Sequence, residues 1–268
     1  MSDARYIVIC AMDSEAVHLR RLLEDVDEEP VARWRRSRGR LADARVDLIV
    51  CGIGLAYSAA ATAVALIEER PSAVLNYGCA GAHRDDIHAG DVIVGSAVAH
   101  LASYIHQPDD TKHLFGFRSG DAAEGHRHVD QLPTDRILVE AARQAAGDLD
   151  LPVWPGKRGA PAVHFGPVGS ADIWTQHIET IQQHHLTHGT LCEDMEAAAI
   201  AQIAALFGVP FLTIKDISNN ELQKATLFDA PGSGASLLED VIDQIGLRAA
   251  LLTAATISRH ASVELGAT

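Results

Sequence analysis

Apolar runs of strand length alternate with helical patterns along the whole chain. The apolar runs lie at residues 6–10, 46–51, 73–76, 92–98, 162–165 and 210–214. Between them, apolar residues recur every three or four positions, which is the periodicity of an amphipathic helix. This pattern predicts helices over residues 14–23, 56–69, 136–146, 173–184, 195–207 and 237–257, the last one open to interruption at Gly246. Alternation without a linker or an internal repeat predicts a single α/β domain with a mixed central sheet flanked by helices.

Two stretches depart from the simple alternation. Residues 33–51 are predicted to form two strands joined by Gly39-Arg40, the second strand being residues 46–51. Residues 103–133 are polar, irregular and rich in His, Asp and Gly, which indicates a functional loop or an interface element. A domain boundary in this segment is the alternative. The single domain is expected to span residues 1–258, followed by a frayed tail over residues 259–268.

Composition narrows the classes of partner. The 268 residues include 22 Lys and Arg against 36 Asp and Glu, a formal net charge of −14. A surface of this charge is unsuited to nucleic acid or to anionic lipid. No apolar stretch approaches the roughly 20 residues that a membrane-spanning helix needs, and the N-terminus lacks a signal-peptide pattern. We therefore expect a cytoplasmic protein with a small-molecule ligand, no nucleic-acid partner and no membrane contact.

Cysteines and histidines do not predict a metal centre. The four cysteines are widely spaced with no Cys-x-x-Cys, so reduced, buried thiols are expected. The 14 histidines are densest at His126-x-His128 and His184-His185-x-x-His188. Neither cluster has a carboxylate partner on the same predicted face, and solvated side chains explain them more simply. No metal and no cofactor is expected.

Two segments of small residues follow predicted strands. Cys51-Gly52-Ile53-Gly54 opens a helix as a dinucleotide site would, but it lacks the third glycine and the acidic partner of that motif. A turn where the backbone approaches a ligand and a purely structural turn both remain open. Gly78-Cys79-Ala80-Gly81 would let a flat ligand lie against the main chain. Cys79 is interpreted as an inert small side chain, because nothing nearby in sequence activates the thiol as a nucleophile.

Two polar clusters carry candidate chemistry. Glu193-Asp194-Met195-Glu196 places three carboxylates at the start of a predicted helix. The helix dipole explains them as well as a carboxylate directed at the paired hydroxyls of a ligand does, and Met195 would supply an adaptable apolar contact. Lys215-Asp216-Ile217-Ser218-Asn219-Asn220 follows the predicted strand 210–214, where α/β proteins bind ligands. An ordinary turn with a helix N-cap is the alternative for this second cluster.

These segments, in this order, resemble the nucleoside phosphorylase/nucleosidase superfamily. The closer resemblance is to bacterial methylthioadenosine/S-adenosylhomocysteine nucleosidases and to futalosine hydrolases. It covers residues 5–255 and also includes Ala11-Met12-Asp13-Ser14-Glu15, Asn76-Tyr77 and Gly90-Asp91-Val92. The resemblance implies a nucleoside phosphorylase-like fold with a twisted mixed sheet, cleavage of the bond between a purine and ribose, and a homodimer.

The resemblance also implies roles for individual residues. Glu15 matches the acid that activates the attacking water. Met195 and Glu196 match the pair that lines the ribose, with Glu196 on the 2′- and 3′-hydroxyls. Ile173, near Trp174, falls where the family contacts the purine edge through the main chain. The full set of predicted substrate contacts is Ile53, Cys79, Ala80, Gly81, Phe115, Phe117, Ile173, Trp174, Asp194, Met195, Glu196 and Ser218.

Three parts of that set have distinct implied functions. Cys79 to Gly81 match a backbone turn beside the base, and Ser218 supports the last loop. Phe115 and Phe117 lie in the segment that, in dimeric nucleosidases, reaches into the partner's site. With Trp174, they are among the few rings that could stack on a base, because aromatic residues make up only 5% of the chain.

One departure from the family pattern concerns the purine. Adenine-cleaving nucleosidases carry an Asp directly after the Ile-Ser pair, and this chain has Asn219 there. An amide cannot donate a titrating proton, but it offers both a donor and an acceptor. Futalosine hydrolases and trimeric phosphorylases resemble this chain in carrying Asn at that position. Asn219 therefore favours a 6-oxopurine. Asp216 is a second candidate for the role of the acid, and Lys215 stands where nucleosidases often carry Arg.

The first loop favours hydrolysis over phosphorolysis. Phosphorolysis needs a cationic pocket for phosphate, whereas the loop presents Asp13, Ser14 and Glu15. The alternatives are a purine nucleoside phosphorylase, and a nucleoside-binding protein on the same fold that has lost catalysis, suggested by Asn219. A hydrolase that depends on Cys79 is a third and weaker hypothesis.

Overall fold

The computed structural model describes residues 4–119, 127–157, 159–224 and 241–266. Its strands are β1 (Arg5–Cys10), β2 (Glu24–Val31), β3 (Trp34–Leu41), β4 (Ala44–Val50), β5 (Ala73–Ala82), β6 (Val92–His100), β7 (Tyr104–His106), β8 (Lys112–Leu114), β9 (Phe117–Ser119), β10 (Arg127–Val129), β11 (Gln131–Pro133), β12 (Val163–Ser170), β13 (Cys192–Asp194) and β14 (Phe211–Asn219). Its helices are α1 (Asp13–Arg20), α2 (Leu55–Glu68), α3 (Arg136–Asp148), α4 (Ile178–His188), α5 (Ala197–Leu206) and α6 (Leu247–Gly266), with a short 3-10 helix over Glu221–Gln223.

A mixed central sheet organises these elements, as predicted. Within the described ranges it has ten strands in the order β11-β6-β12-β13-β5-β1-β4-β3-β2, and β14 pairs with both β5 and β6. Helices α1, α3 and α6 pack on one face of the sheet, and α2 and α5 pack on the other. The strands at the centre are buried on both faces, so they read as nearly continuous apolar runs. This explains why periodicity located them.

Four central strands end at one edge of the sheet. β1 runs parallel to β4 and β5, and β14 runs parallel to β5. Their carboxyl ends therefore meet, which is where open α/β sheets bind ligands. The loop after β1, the turn after β4 and the last residues of β5 and β14 lie together at this edge. No helix in the described part of the chain is long and apolar enough to cross a membrane.

The prediction for residues 33–51 was wrong about the hairpin. The structure has three antiparallel strands, β2 to β4, and Gly39 lies inside β3 rather than in a turn. β2 was missed because it is exposed and acidic, with no apolar alternation. Ion pairs hold it to β3 instead, since Glu29 lies 2.6 Å from Arg36 and 3.0 Å from Arg38.

β5 and β14 are longer than predicted, and β13 was not predicted. β5 continues through Ala82, so the expected turn at residues 78–81 is extended strand. β14 likewise includes residues 215–219, because it pairs with β5 along that length. Glu193 and Asp194 belong to the short strand β13, and α5 begins only at Ala197. The hydrogen bonds that extend these segments come from strands distant in sequence, which local patterns do not show.

The ends of two helices also differ from the prediction. α4 begins at Ile178, which leaves Ile173 and Trp174 in an irregular segment. The expected frayed tail from residue 259 is instead helical as far as Gly266. His260 is buried, and its Nδ1 lies 2.8 Å from the hydroxyl of Tyr6 in β1, which holds this part of the helix against the sheet.

The predicted interruption at Gly246 is confirmed. Gly246 has a φ of +77° and immediately precedes α6. The beginning of the predicted helix, residues 237–240, lies outside the described residues, as does His126. The polar segment 103–133 contributes β7 to β11. Of these, β11 joins the central sheet, and the other four form two antiparallel pairs, β7 with β8 and β9 with β10.

Candidate active site

Glu15 is the carboxylate at the centre of the site. It lies in the first turn of α1, and its side chain is buried. Its Oε2 accepts hydrogen bonds from the backbone N–H groups of Ala11 (3.1 Å) and Met12 (3.0 Å). Its Oε1 accepts a third from the backbone N–H of Cys79 (2.9 Å) in β5. Donors from the loop after β1 and from β5 therefore hold the carboxylate in one orientation.

Two glycines, which have no side chain, leave room for this carboxylate. A Cβ on Gly78 would lie 2.7 Å from Glu15 Oε1, and a Cβ on Gly246 would lie 3.2 Å from Glu15 Cγ. The hydroxyl of Tyr77 donates to the backbone carbonyl of Glu15 (2.9 Å). Glu15 is thus fixed by packing as well as by hydrogen bonds, which suits a group that must meet a reacting atom at a set distance.

Glu196 is a second buried carboxylate at the same edge. It directly precedes α5, and its Oε1 accepts a hydrogen bond from the backbone N–H of Gly54 (3.0 Å). Gly54 has a φ of +108°, and a Cβ there would lie 2.8 Å from Asp172 Oδ1. The turn at residues 51–54 therefore needs its second glycine, and it positions Glu196. Met195, half-buried, lies next to it.

Lys215 provides the positive charge beside these acids. Its Nζ lies 2.6 Å from Asp194 Oδ2, and both side chains are buried. Burial, followed by the charge of Asp194, raises the pKa of Glu196 to about 8, although Lys215 acts in the opposite direction. Burial alone would lower the pKa of Lys215, but Asp194 and Glu196 raise it above its usual value. The site therefore contains an ion pair and one carboxyl that ionises near neutral pH.

Asn219 is held on both sides of its amide. It is the last residue of β14 and is buried. The hydroxyl of Ser218 donates its single proton to Asn219 Oδ1 (2.8 Å), and the backbone carbonyl of Ala80 is a more distant alternative acceptor at 3.3 Å. Asn219 Nδ2 donates to Glu221 Oε1 (3.1 Å). A Cβ on Gly81 would lie 3.2 Å from Nδ2, so the small residues of β5 make space for the amide.

Asp216 lies apart from Asn219, facing α6. Its Oδ2 accepts from the backbone N–H (3.1 Å) and from Nη1 (3.2 Å) of Arg248, a fully buried residue of α6. Burial raises the pKa of Asp216 to about 7, and Arg248 opposes this shift. Successive residues of a strand point to opposite faces, so Lys215 and Asp216 diverge. The structure does not bring Asp216 to the amide of Asn219 or to Glu196.

Hydrogen bonds to Glu193 anchor the segment that contains Ile173 and Trp174. Both side chains are about half exposed, at 48% and 47%. The next residue, Thr175, donates to Glu193 from its backbone N–H (2.6 Å) and its hydroxyl (2.9 Å). His83 Nε2 lies 3.2 Å from Glu193 Oε2. A buried His83–Glu193 pair thus fixes the segment that the sequence places at the purine edge.

Phe117 is unsuited to its predicted role of stacking on a base, whereas the role of Phe115 stays a prediction. Phe117 is buried in the core on the α2 and α5 face, with its ring 5.8 Å from that of His100, so it cannot stack on a base. Phe117 is the first residue of β9, and its side chain packs into this core. Phe115 is half-buried and meets the ring of His128 edge-on at 5.5 Å.

The thiol of Cys79 is unsuited to nucleophilic attack. Burial, followed by the charge of Glu15, raises its pKa well above the usual value. A thiol that stays protonated is a poor nucleophile. The thiol forms a side-chain hydrogen bond with Glu15, and the backbone N–H of Cys79 also donates to that carboxylate. Among the residues that the structure describes, no group of three or more His, Cys, Asp or Glu side chains could hold a metal ion.

A groove of about 990 Å³ adjoins the site. Met12 and Ile53 line it on the side of the two carboxylates, and Trp34 and Tyr57 line it opposite. Arg33, at the tip of the β2–β3 hairpin, also borders the groove and makes no ion pair within the described residues. The groove therefore combines apolar walls with a border of mixed charge, since Asp13, Glu28, Glu29 and Arg35 line it as well.

Several of these residues escaped sequence reasoning. Arg248, His83 and Glu221 act through partners that the sequence does not place beside them, and no motif contains them. The acidic residue two positions after Asn219 is the one signal that was visible. Lys215 was named in a polar cluster and as a departure from the family, but no role was predicted for it.

Comparisons with known proteins agree with this geometry. Residues 5–258 match the model of a family described as the phosphorylase superfamily. A 5′-methylthioadenosine/S-adenosylhomocysteine nucleosidase of Geobacillus kaustophilus is 33% identical over 217 residues, which are 79% of this chain and 83% of that protein. The nucleosidase of the same description from Shewanella piezotolerans is 30% identical over 255 residues, 94% of this chain and 98% of that protein.

Solved structures have the same fold. The Neisseria meningitidis nucleosidase of that description, in complex with methylthio-immucillin-A, is 28% identical with a TM-score of 0.72, over 94% of this chain and 98% of that chain. Futalosine hydrolase of Helicobacter pylori has a TM-score of 0.75 over 96% of this chain and 98% of that chain. It is 17% identical, so that likeness concerns the fold alone.

Proposed function

Because the chain belongs to the phosphorylase superfamily and is similar over most of its length to nucleosidases, we propose that it is a purine nucleosidase. It hydrolyses the N-glycosidic bond of a 5′-modified purine nucleoside. Cleavage of that bond builds positive charge on the ribose and negative charge on the departing purine. The site must therefore activate water, hold the sugar and receive the base.

The hydrogen bonding of Glu15 is the observation that carries hydrolysis. Its carboxylate occupies the backbone N–H groups of Ala11, Met12 and Cys79. Convergent backbone N–H groups are what a phosphate ion would use, and here a negative charge already lies on them. An anion cannot share that position without strong repulsion, whereas water can. Glu15 takes a proton from the water and favours the cationic sugar.

Glu196 holds the ribose. One of its oxygens is occupied by the N–H of Gly54, which leaves lone pairs for the adjacent hydroxyls of the sugar. Its ionised form accepts from both hydroxyls, and Lys215 favours that form. Met195, beside it, is half-buried and provides an apolar contact.

Asn219 receives a 6-oxopurine. After its bonds to Ser218 and Glu221, the amide still has one N–H and one lone pair. When N7 is protonated as the base departs, a 6-oxopurine presents one donor and one acceptor, which match the amide. Adenine would then present two donors, one of them unmatched. Because catalysis requires complementarity to the transition state, Asn219 favours hypoxanthine or guanine.

The 5′-substituent lies in the groove between Met12, Ile53 and Trp34. This groove is continuous with the loop that holds Glu15 and with the turn that holds Glu196. Apolar walls suit an alkyl, thioether or aromatic group. Arg33 at the border suits a substituent that ends in a carboxylate.

The protein is a cytoplasmic homodimer in this proposal. Outward-facing Tyr57, Val64 and Ile67 of α2 are 59%, 37% and 74% exposed and follow helical spacing, which forms an apolar stripe. The stripe continues from Ile53 at the groove, so a second copy on it would lie beside the site. The four free cysteines suit a reducing compartment.

A substrate panel tests the activity. Purified protein is incubated with inosine, futalosine, methylthioadenosine and S-adenosylhomocysteine, with and without phosphate, and free base is measured. At least one nucleoside should release its base without phosphate, at a rate that phosphate does not raise. A requirement for phosphate would make the protein a phosphorylase. Tight purine binding without base release would make it a non-catalytic binding protein.

A further inference from the structure

Glu221 is an acid that the proposed mechanism leaves unused. It begins the 3-10 helix that follows β14 and is 9% exposed. Asn220, the preceding residue, caps this helix through the N–H of Leu222 (3.0 Å). The amide of Asn220 also donates to the backbone carbonyls of Arg84 (2.8 Å) and Ile87 (2.7 Å). The backbone that carries Glu221 is therefore tied to the loop after β5.

The bond between Glu221 and Asn219 has a definite polarity. An amide has two ends of similar shape, one donating and one accepting. A carboxylate only accepts, so Glu221 Oε1, 3.1 Å away, selects the NH₂ end of Asn219. Ser218, whose hydroxyl donates at 2.8 Å, selects the oxygen end. Both neighbours enforce the same orientation.

We infer that Glu221 is a positioning residue that sets the choice of base by fixing the orientation of the Asn219 amide. This inference rests on the proposed function, since it concerns the purine end of that site. If the amide inverted, its donor and acceptor would exchange places against the N7 and C6 edge. The match to a 6-oxopurine would then be lost.

Glu221 also polarises the amide. A carboxylate that accepts from one N–H shifts electron density towards the amide oxygen, as chains of hydrogen bonds do. Asn219 Oδ1 thereby becomes a better acceptor for the proton on N7. Glu221 thus provides a negative charge two residues after Asn219, and this charge acts through the Asn219 amide.

Glu221→Gln tests the inference, because glutamine both donates and accepts and no longer selects one orientation. The substrates are 5′-methylthioinosine and 5′-methylthioadenosine, which differ only in the base. The preference for the hypoxanthine substrate, as a ratio of kcat/KM, should fall about tenfold. The loss should lie in kcat, with KM changed by no more than about twofold. Asp86→Asn, an exposed acid on the neighbouring loop, is the matched control and should leave the ratio unchanged.

Two further variants distinguish an action of Glu221 through the Asn219 amide from a purely structural role of Glu221. In an Asn219→Ala background, Glu221→Gln should have no additional effect, because its action passes through the amide. Glu221→Asp, which keeps the charge but shortens the side chain, replaces Glu221→Gln if that variant does not fold. It should also lower the ratio. Equal losses on both substrates, or a loss that persists without Asn219, would overturn the inference.

Binding of the free bases provides a readout that needs no turnover. Calorimetry should show hypoxanthine bound more tightly than adenine by the unmodified protein, and the two affinities about tenfold closer in Glu221→Gln. No base release together with this binding pattern would refute the proposed activity but support the role of Glu221. Base release with an unchanged ratio in the variant would refute the role of Glu221 alone.

Discussion

Lys215 Nζ lies 2.6 Å from Asp194 Oδ2, and both side chains are buried at the edge of the sheet where Glu196 also lies. Asp194 further accepts from the backbone N–H of Ala197, so it caps α5 while it balances the lysine. This ion pair therefore stabilises the start of the helix that follows Glu196, while Lys215 favours and Asp194 disfavours the ionised form of Glu196.

Removal of one partner of this pair should destabilise the fold. Lys215→Met leaves Asp194 charged and buried without compensation, which typically costs about 3–5 kcal/mol in the free energy of unfolding. Denaturant titration measures it. The double variant Lys215→Met with Asp194→Asn should recover most of the loss, because no buried charge is then left unpaired. A cost in the single variant below about 1 kcal/mol would contradict the structure.

The rate should depend on pH through Glu196. Its pKa is raised to about 8, so the carboxyl is mainly protonated below that pH in the free enzyme. Only the ionised form accepts from both ribose hydroxyls, and kcat/KM should therefore rise as pH increases through about 8. Because Asp194 raises this pKa, Asp194→Asn should move the rise to lower pH. An unmoved or upward-shifted profile would exclude Glu196 as the titrating group.

Loss of the Glu15 carboxylate should abolish most turnover. Glu15→Gln keeps nearly the same shape but cannot take a proton from water, so kcat should fall by roughly 10²–10⁴. Quenched time courses of base release measure this. Glu140→Gln, an exposed residue of α3, is the matched control and should behave like the parent protein. Turnover that survives in Glu15→Gln would refute the role of this residue.

A methyl group at Gly78 should disturb the same carboxylate. A Cβ there would lie 2.7 Å from Glu15 Oε1, so Gly78→Ala must displace either the carboxylate or β5. We expect kcat to fall at least about tenfold, because small displacements of positioned groups are costly in rate. Gly147→Ala in α3, where a Cβ would meet nothing within 4 Å, should stabilise the protein slightly. Equal activity in the two variants would contradict the close approach at Gly78.

Arg33 should matter only for substrates with an anionic tail. Methylthioadenosine and S-adenosylhomocysteine share the nucleoside, and the second has a carboxylate in its 5′-substituent. Arg33→Ala should raise KM for S-adenosylhomocysteine by about two- to fivefold, the range of an exposed ion pair, and leave KM for methylthioadenosine unchanged. Arg136→Ala, at an exposed position at the start of α3, serves as control. Equal effects on both substrates would place the tail outside the groove.

Sequence patterns were informative where a residue's role is local. Glu196 and Asn219 lie in polar clusters that local sequence marked beside a predicted helix and a predicted strand, whereas the role of Glu15 was implied by the resemblance to nucleosidases. The mixed sheet was likewise predictable, since its central strands are apolar on both faces.

Patterns failed where a partner is distant or where charge replaces apolar contact. β2 has no apolar alternation, because ion pairs between Glu29 and the arginines of β3 hold it. The anchoring of Thr175 depends on Glu193 and His83, which are 110 residues apart. The role of Asp216 could not be assigned from the sequence, because its hydrogen-bond partner Arg248 lies 32 residues later. Such contacts exist only after the chain has folded.

The bond between Tyr6 and His260 joins the first strand to the last helix, across 254 residues. Gly246, just before that helix, packs against the side chain of Glu15. During synthesis, Glu15 therefore leaves the ribosome long before the elements that complete its surroundings. We therefore expect the nascent chain to remain inactive until α6 has been synthesised and has docked on the sheet.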